Sequence, residues 1–148
     1  MQSRLNWKQA APGAYTALLG LRQYLETSGL DVRLRLLVEL RASQINGCAY
    51  CVDLHTNEAR AAGETQQRLD CLCVWRETSL FDARERAALA WTEALTQVAA
   101  TRAPDDVYAE VRAEFDDKTL TDLTLAISAM NAWNRIGVGF RLQPPTRR

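Results

Sequence analysis

The sequence predicts a single all-α domain of six or seven helices, spanning residues 1–148. Three observations carry the prediction. Apolar residues recur at three- and four-residue steps along nearly the whole chain. No period-2 run of four or more β-branched residues stands between turn signals. Gly or Pro punctuates most of the gaps, and the gaps are short.

Each element has its own signals. Leu18, Leu21 and Leu25 mark a first helix over about Ala14–Glu26, with Pro12 as a first-turn residue and Gly29 as its stop. Asp31 caps a second helix through Leu34, Leu37, Val38 and Arg41, which fails at Asn46-Gly47. A third runs from about Cys48 to Ala62 and stops at Gly63. A fourth begins near Glu64 and carries Leu69, Leu72 and either Val74 or Trp75. Asp82 with Glu85 is a capping-box pair opening a helix with Ala87, Ala88, Trp91, Leu95 and Val98 on its apolar face. Pro104 opens a short helix through Phe115, and Asp117 caps a long one carrying Leu120, Leu123, Ile127, Met130 and Asn134. The tail Pro144–Arg148 is expected to fray.

Composition removes several function classes. With 148 residues, 47% apolar and 24% charged, the chain matches an ordinary globular domain rather than a disordered one. Eighteen Lys+Arg against 18 Asp+Glu leave no basic excess, which argues against a nucleic-acid partner. No apolar run approaches the ~18–20 residues that span a bilayer, so no membrane partner is expected. Met1–Lys8 carries no secretory signal, so the expected compartment is the reducing cytoplasm. Four cysteines there point to catalysis or metal binding rather than structural disulfides.

One segment holds most of the chemistry. Cys48-x-x-Cys51 is followed by the only histidine of the chain, His55. On a helix Cys48 and Cys51 lie about 60° apart, and His55 about 40° from Cys51, so all three share a face. A free thiol with pKa ~8.5 is mostly protonated at neutral pH. Unpaired N–H groups of a first helical turn favour the thiolate, and an imidazole at i+4 can take the thiol proton. A shift of about two units would make the thiolate dominant, a differential of about 2.7 kcal/mol. The second cysteine then condenses with the sulfenic acid of the first. The plainer alternative is two buried small hydrophobes beside a core histidine; the i+4 spacing and the helix start weigh against it.

Other candidates are weaker. Cys71-Leu-Cys73 completes an approximate four-cysteine zinc spacing. Two residues apart on a helix, however, the side chains diverge by about 200° and cannot hold one ion. No metal is therefore assigned, and Cys71 and Cys73 read as ordinary thiols. Glu39 on the preceding helix would orient His55. Taken alone, Glu39 reads better as a solvated charge beside Arg35 and Arg41. The Tyr50 hydroxyl is placed to donate to a peroxide or thiolate, although a lone aromatic more often packs. Asn131-Ala-Trp-Asn134-Arg135 is a polar cluster that either contacts a site or pins helix ends.

The stretch Ser43-Gln-Ile-Asn-Gly-Cys48-Ala-Tyr-Cys51-Val-Asp-Leu-His55 resembles the core motif of alkylhydroperoxidase AhpD-like proteins of the carboxymuconolactone decarboxylase superfamily. Trp91-Thr-Glu-Ala-Leu and Asn131-Ala-Trp-Asn-Arg135 resemble one subgroup, so the likeness covers most of the chain. It implies an all-helical fold and homo-oligomers, commonly trimers or hexamers. It implies a peroxidase-type enzyme of antioxidant defence that reduces a small peroxide or a disulfide. The enzyme would need no cofactor beyond its dithiol and would be recycled by a dithiol reductant protein. Cys51 would be peroxidatic, Cys48 resolving and His55 the proton relay. The chain departs from the best-studied members at two points: Tyr50 replaces a histidine between the cysteines, and Leu36 replaces a glutamate twelve residues before the first. Glu39, one turn later, is the candidate substitute. The decarboxylase branch lacks the paired cysteines. The rival reading is a non-enzymatic redox sensor or partner-binding module using the same dithiol.

Overall fold

The computed structural model describes residues 1–146. Among the described residues the fold is all-α, with no strand. Its helices are α1 (Trp7–Ala10), α2 (Pro12–Thr27), α3 (Val32–Asn46), α4 (Ala49–Ala61), α5 (Gln66–Cys71), α6 (Ala83–Thr96), α7 (Val98–Thr101), α8 (Asp105–Glu114) and α9 (Asp117–Gly139), with a 3₁₀ helix over Leu72–Glu77.

Helix α3 is the centre of the molecule. Asp31 starts it by accepting the Leu34 N–H at 2.8 Å, and Gly47 ends it in the left-handed region, φ 66°. Nine of its residues are buried, and it packs against α4, α6 and α9. A helix covered on so many sides must be apolar nearly all round. The exception is a row four residues apart, Arg35, Glu39 and Ser43, all buried. Two adjoining clusters share α3 and α6. One joins Leu34 and Val38 to Trp91, Val111, Leu123 and Ile127. The other joins Leu37 and Leu40 to Leu69, Leu72, Trp75 and Leu89.

Most expected boundaries hold within a residue or two. Pro12 occupies the first turn of α2, and the Asp82–Glu85 capping box closes reciprocally at 2.8 and 3.0 Å. The expected count of six or seven helices is too low, because four-residue α1 and α7 are shorter than any periodicity window. Val98 does not lie on the apolar face of α6. The chain breaks at Gln97, and Val98 is 47% exposed in α7. Between the two candidates after Leu72, Trp75 is the buried one, because a 3₁₀ turn changes the register. Asp116, not Asp117, caps α9; its side chain accepts the Thr119 N–H at 2.7 Å. Pro144–Thr146 carry no regular structure, and the rest of the tail expected to fray, Arg147 and Arg148, lies outside the described residues. Among the described residues no helix is long and apolar enough to cross a membrane.

Candidate active site

The connection between α3 and α4 builds the site. With Gly47 in the left-handed region, the Gly47 N–H reaches Gln44 O at 3.2 Å and the Cys48 N–H reaches Ser43 O at 3.1 Å. This Schellman-type ending satisfies the last carbonyls of α3 and turns the chain at once into α4. Cys48 is therefore the N-cap of α4 and not its first helical residue, a correction to the expected start. Its Sγ accepts the Cys51 N–H at 3.3 Å, so the helix-end donor is aimed at Cys48. Cys48 and Cys51 are joined by a disulfide with Cα atoms 5.3 Å apart.

A polar ladder ties this turn to α9. Asn46 donates to Asn131 Oδ1 at 3.0 Å and to Asn134 Oδ1 at 2.9 Å. Asn134, fully buried, donates to Ser43 Oγ at 3.0 Å, and Ser43 donates on to the Glu39 carbonyl. The Asn131–Arg135 segment thus pins the dithiol turn to the long helix, one of its two readings from sequence. Truncating Asn134 to Ala strands buried partners, so a loss of about 1–3 kcal/mol is expected in urea unfolding. A change below about 0.5 kcal/mol would mean that the ladder does not hold the turn.

Beyond the dithiol, α4 returns along α3 and brings His55 against Glu39. The Nδ1 of His55 lies 3.4 Å from Glu39 Oε2 and 3.0 Å from Glu58 Oε2. Glu39 is buried and paired with Arg35 at 3.1 Å, so it is not the solvated charge that the local pattern suggests. Glu58 had no signal of its own beyond its i+3 spacing from His55, and Arg22 pairs with it at 3.1 Å. Burial pushes the Glu39 carboxyl above its ordinary range, against the pull of His55 and Arg35. The His55 imidazole, 3.0 Å away but without hydrogen-bond geometry at Nδ1, holds Glu58 below its ordinary range, with Arg22 helping against burial. Two carboxyls on one imidazole edge are thus driven in opposite directions.

The sign for stability follows from Glu58. A depressed carboxylate stabilises the fold above its ordinary value of 4.5, and that stabilisation disappears as pH falls through the depressed value. In Glu58→Gln, thermal melts should lose less stability than the native chain on acidification below about pH 4.5. The difference should stay under about 1 kcal/mol, since the pair is partly solvated. Parallel curves in the two chains would contradict the assignment.

Glu39, His55 and Glu58 are the one group of three or more potential metal ligands among the described residues, with donor atoms within 4.8 Å of one another. Both carboxylates already carry a guanidinium partner, which makes the cluster a charge network. Cys71 and Cys73 are free thiols, half-buried and exposed, and do not join Cys48 and Cys51.

A cavity of about 630 Å³ opens beside these groups. Cys51, His55, Glu39 and Tyr50 line it, and Cys48 does not. Behind the dithiol stands Gly137 of α9, where a Cβ would come 2.6 Å from Cys48 Sγ and 3.4 Å from Cys51 Sγ. Sequence reading missed Gly137, Glu58 and the cavity residue Trp7; it held Trp133, which lines the cavity, only as part of the Asn131–Arg135 cluster. Gly137 lies in an uninterrupted helical pattern, so only its neighbours across the helix interface reveal it.

Comparisons with known proteins agree with this fold. The family model for the carboxymuconolactone decarboxylase family matches residues 12–94. The uncharacterized protein YdfG of Bacillus subtilis is 38% identical over 138 residues, 93% of this chain and 94% of YdfG. ATU0492 of Agrobacterium tumefaciens is a protein of unknown function proposed as the antioxidant defence protein AhpD. Its crystal structure superposes with a TM-score of 0.97 at 45% identity, covering 99% of this chain and 100% of that one. An uncharacterized peroxidase-related protein from Silicibacter shares the fold at a TM-score of 0.79 and 23% identity, over 88% of this chain and 70% of that one. On the matched residues, the all-helical fold and the paired cysteines, the chain is an AhpD-like member of the carboxymuconolactone decarboxylase family.

Proposed function

We propose that the chain is a dithiol peroxidase that reduces a hydroperoxide through Cys51. One observation carries the reading: Cys51 lines the cavity with His55 and Glu39, while Cys48 is bonded to it from behind. The likeness to ATU0492, proposed as an antioxidant defence protein, adds support.

In the reduced form the Cys51 thiolate attacks one oxygen of ROOH. The S–O bond forms, the O–O bond breaks, and the departing alkoxide takes a proton to leave as ROH. His55, which lines the cavity with its Nδ1 beside Glu39 and Glu58, moves that proton. Tyr50 is a further donor on the cavity wall. Cys48 then attacks the Cys51 sulfenic acid, releasing water and forming the disulfide. An external dithiol returns both cysteines to thiols and is itself oxidised to a disulfide. Attack at Cys51 makes Cys48 the leaving thiolate, received by the Cys51 N–H. This route reconciles two cues: the helix end favours a thiolate at Cys48, while the cavity favours attack at Cys51.

The same reading places the protein in the cytoplasm as a homo-oligomer, a trimer or hexamer. Tyr24 and Val32, each 48% exposed, and Leu5, at 44%, are apolar surface for such contacts. The direct test is steady-state consumption of a peroxide with a small dithiol as reductant. Many turnovers per chain are expected. A single stoichiometric oxidation, with no recycling, would instead assign the dithiol to a redox sensor.

A further inference from the structure

The cavity beside Cys51 is far larger than the smallest peroxide needs. Its volume of about 630 Å³ lies in the range that encloses small organic ligands, whereas a water molecule takes a share of only about 30 Å³ in the liquid. Its walls also come from two different sources. Glu39, Cys51 and His55 fall within residues 12–94, the span that matches the family model. Trp7, Met130 and Trp133 fall outside it.

Trp7 and Trp133 form an aromatic corner with Tyr15. The Trp7 and Tyr15 rings are 5.5 Å apart, Trp7 and Trp133 are 5.8 Å apart, and Tyr15 and Trp133 are 6.1 Å apart, all edge to face. Such contacts hold each ring in one orientation. The segment carrying Trp7 is clamped to the C-terminal end of α9: the Arg4 N–H donates to Phe140 O at 2.9 Å, and Arg4 Nη1 donates to Gly139 O at 3.0 Å. The corner is therefore pre-formed; the Lys8 ammonium lies over the Tyr15 ring, 4.5 Å from its centroid, and the Trp7 indole N–H is buried without a partner. Ring faces offer hydrogen peroxide little, while a ring-bearing hydroperoxide buries its apolar body against them.

We infer that Trp7, Tyr15 and Trp133 form a specificity wall that selects a hydroperoxide with a ring-sized apolar body over hydrogen peroxide. The inference rests on the peroxidase reading for its chemistry, but the wall itself is testable without turnover. Cumene hydroperoxide is the reactive probe. Its alcohol, 2-phenyl-2-propanol, has the same ring and no O–O bond to reduce, so it reports binding alone.

The experiment compares the native chain with Trp133→Leu and Trp133→Phe. Native kcat/KM should favour cumene hydroperoxide over hydrogen peroxide by at least tenfold. In Trp133→Leu that ratio should fall about tenfold, and 2-phenyl-2-propanol, followed by calorimetry, should bind about five- to tenfold more weakly. Trp133→Phe keeps a ring and should recover most of both. An unchanged ratio with unchanged alcohol binding would overturn the wall. Should no chain turn over, the peroxidase reading fails separately, and the alcohol titration still decides the wall. Where Trp133→Leu does not fold, Tyr15→Leu tests the same corner with the same readouts.

Discussion

Replacing Cys51 with serine is expected to abolish peroxide consumption, a loss on the order of a thousandfold or more. Cys48→Ser should instead consume one equivalent and stop. The asymmetry follows from position, since both sulfurs are buried but only Cys51 lines the cavity. A serine hydroxyl at 51 is not ionised near neutral pH and cannot serve as the nucleophile. A serine at 48 leaves the attacking thiol and its His55 relay in place and removes only the resolving step. Equal loss of the first equivalent in both variants would contradict the division of labour. Progress curves at substoichiometric and excess peroxide separate these cases.

The second large effect is expected at Gly137, and it depends on redox state. A methyl group there would sit 2.6 Å from Cys48 Sγ, well inside contact distance. In the disulfide form the sulfur is tethered and cannot rotate away, so overpacking of about 1–3 kcal/mol is expected for Gly137→Ala. That exceeds or cancels the gain of about 1 kcal/mol from alanine in a helix. In the dithiol form Cys48 is free to take another rotamer, and the helix gain persists. The variant should therefore melt a few degrees lower than the native chain when oxidised and at least as high when reduced. By linkage its disulfide should be easier to reduce, by about 20–40 mV for a differential of 1–2 kcal/mol. Melts with and without a dithiol, beside a redox titration, check this. Equal destabilisation in both states would mean that the contact is not with the disulfide.

Much of the fold was legible because its signals are local. Asp31, Gly47 and the Asp82–Glu85 box each act within one helical turn, and each does in the structure what its chemistry requires. The dithiol and His55 were legible for the same reason, lying within eight residues of one another in a single motif. Glu39 was harder. Its neighbours Arg35 and Arg41 look like a solvated charge pattern, yet α3 is enclosed by α4, α6 and α9. That burial is a tertiary fact, and it turns Arg35–Glu39 into an interior ion pair. Glu93 behaves likewise: it gathers Arg41 at 2.7 Å and the Trp75 indole at 2.9 Å, contacts made across three segments. The cavity was the least legible part. Trp7 and Trp133 lie 126 positions apart in the chain, so their meeting depends on how α1 packs on α2 and α2 on α9.

The division between an attacking Cys51 and a resolving Cys48 is tested most directly by trapping the sulfenic acid. Each single serine variant would be given one equivalent of peroxide in the presence of a 1,3-dione, which alkylates sulfenic acids, and the adduct located by peptide mass spectrometry. A rapid adduct on Cys51 in Cys48→Ser, with little or none on Cys48 in Cys51→Ser, is the predicted result. An adduct on Cys48 in Cys51→Ser, with none on Cys51 in Cys48→Ser, would reverse the two roles and contradict the account.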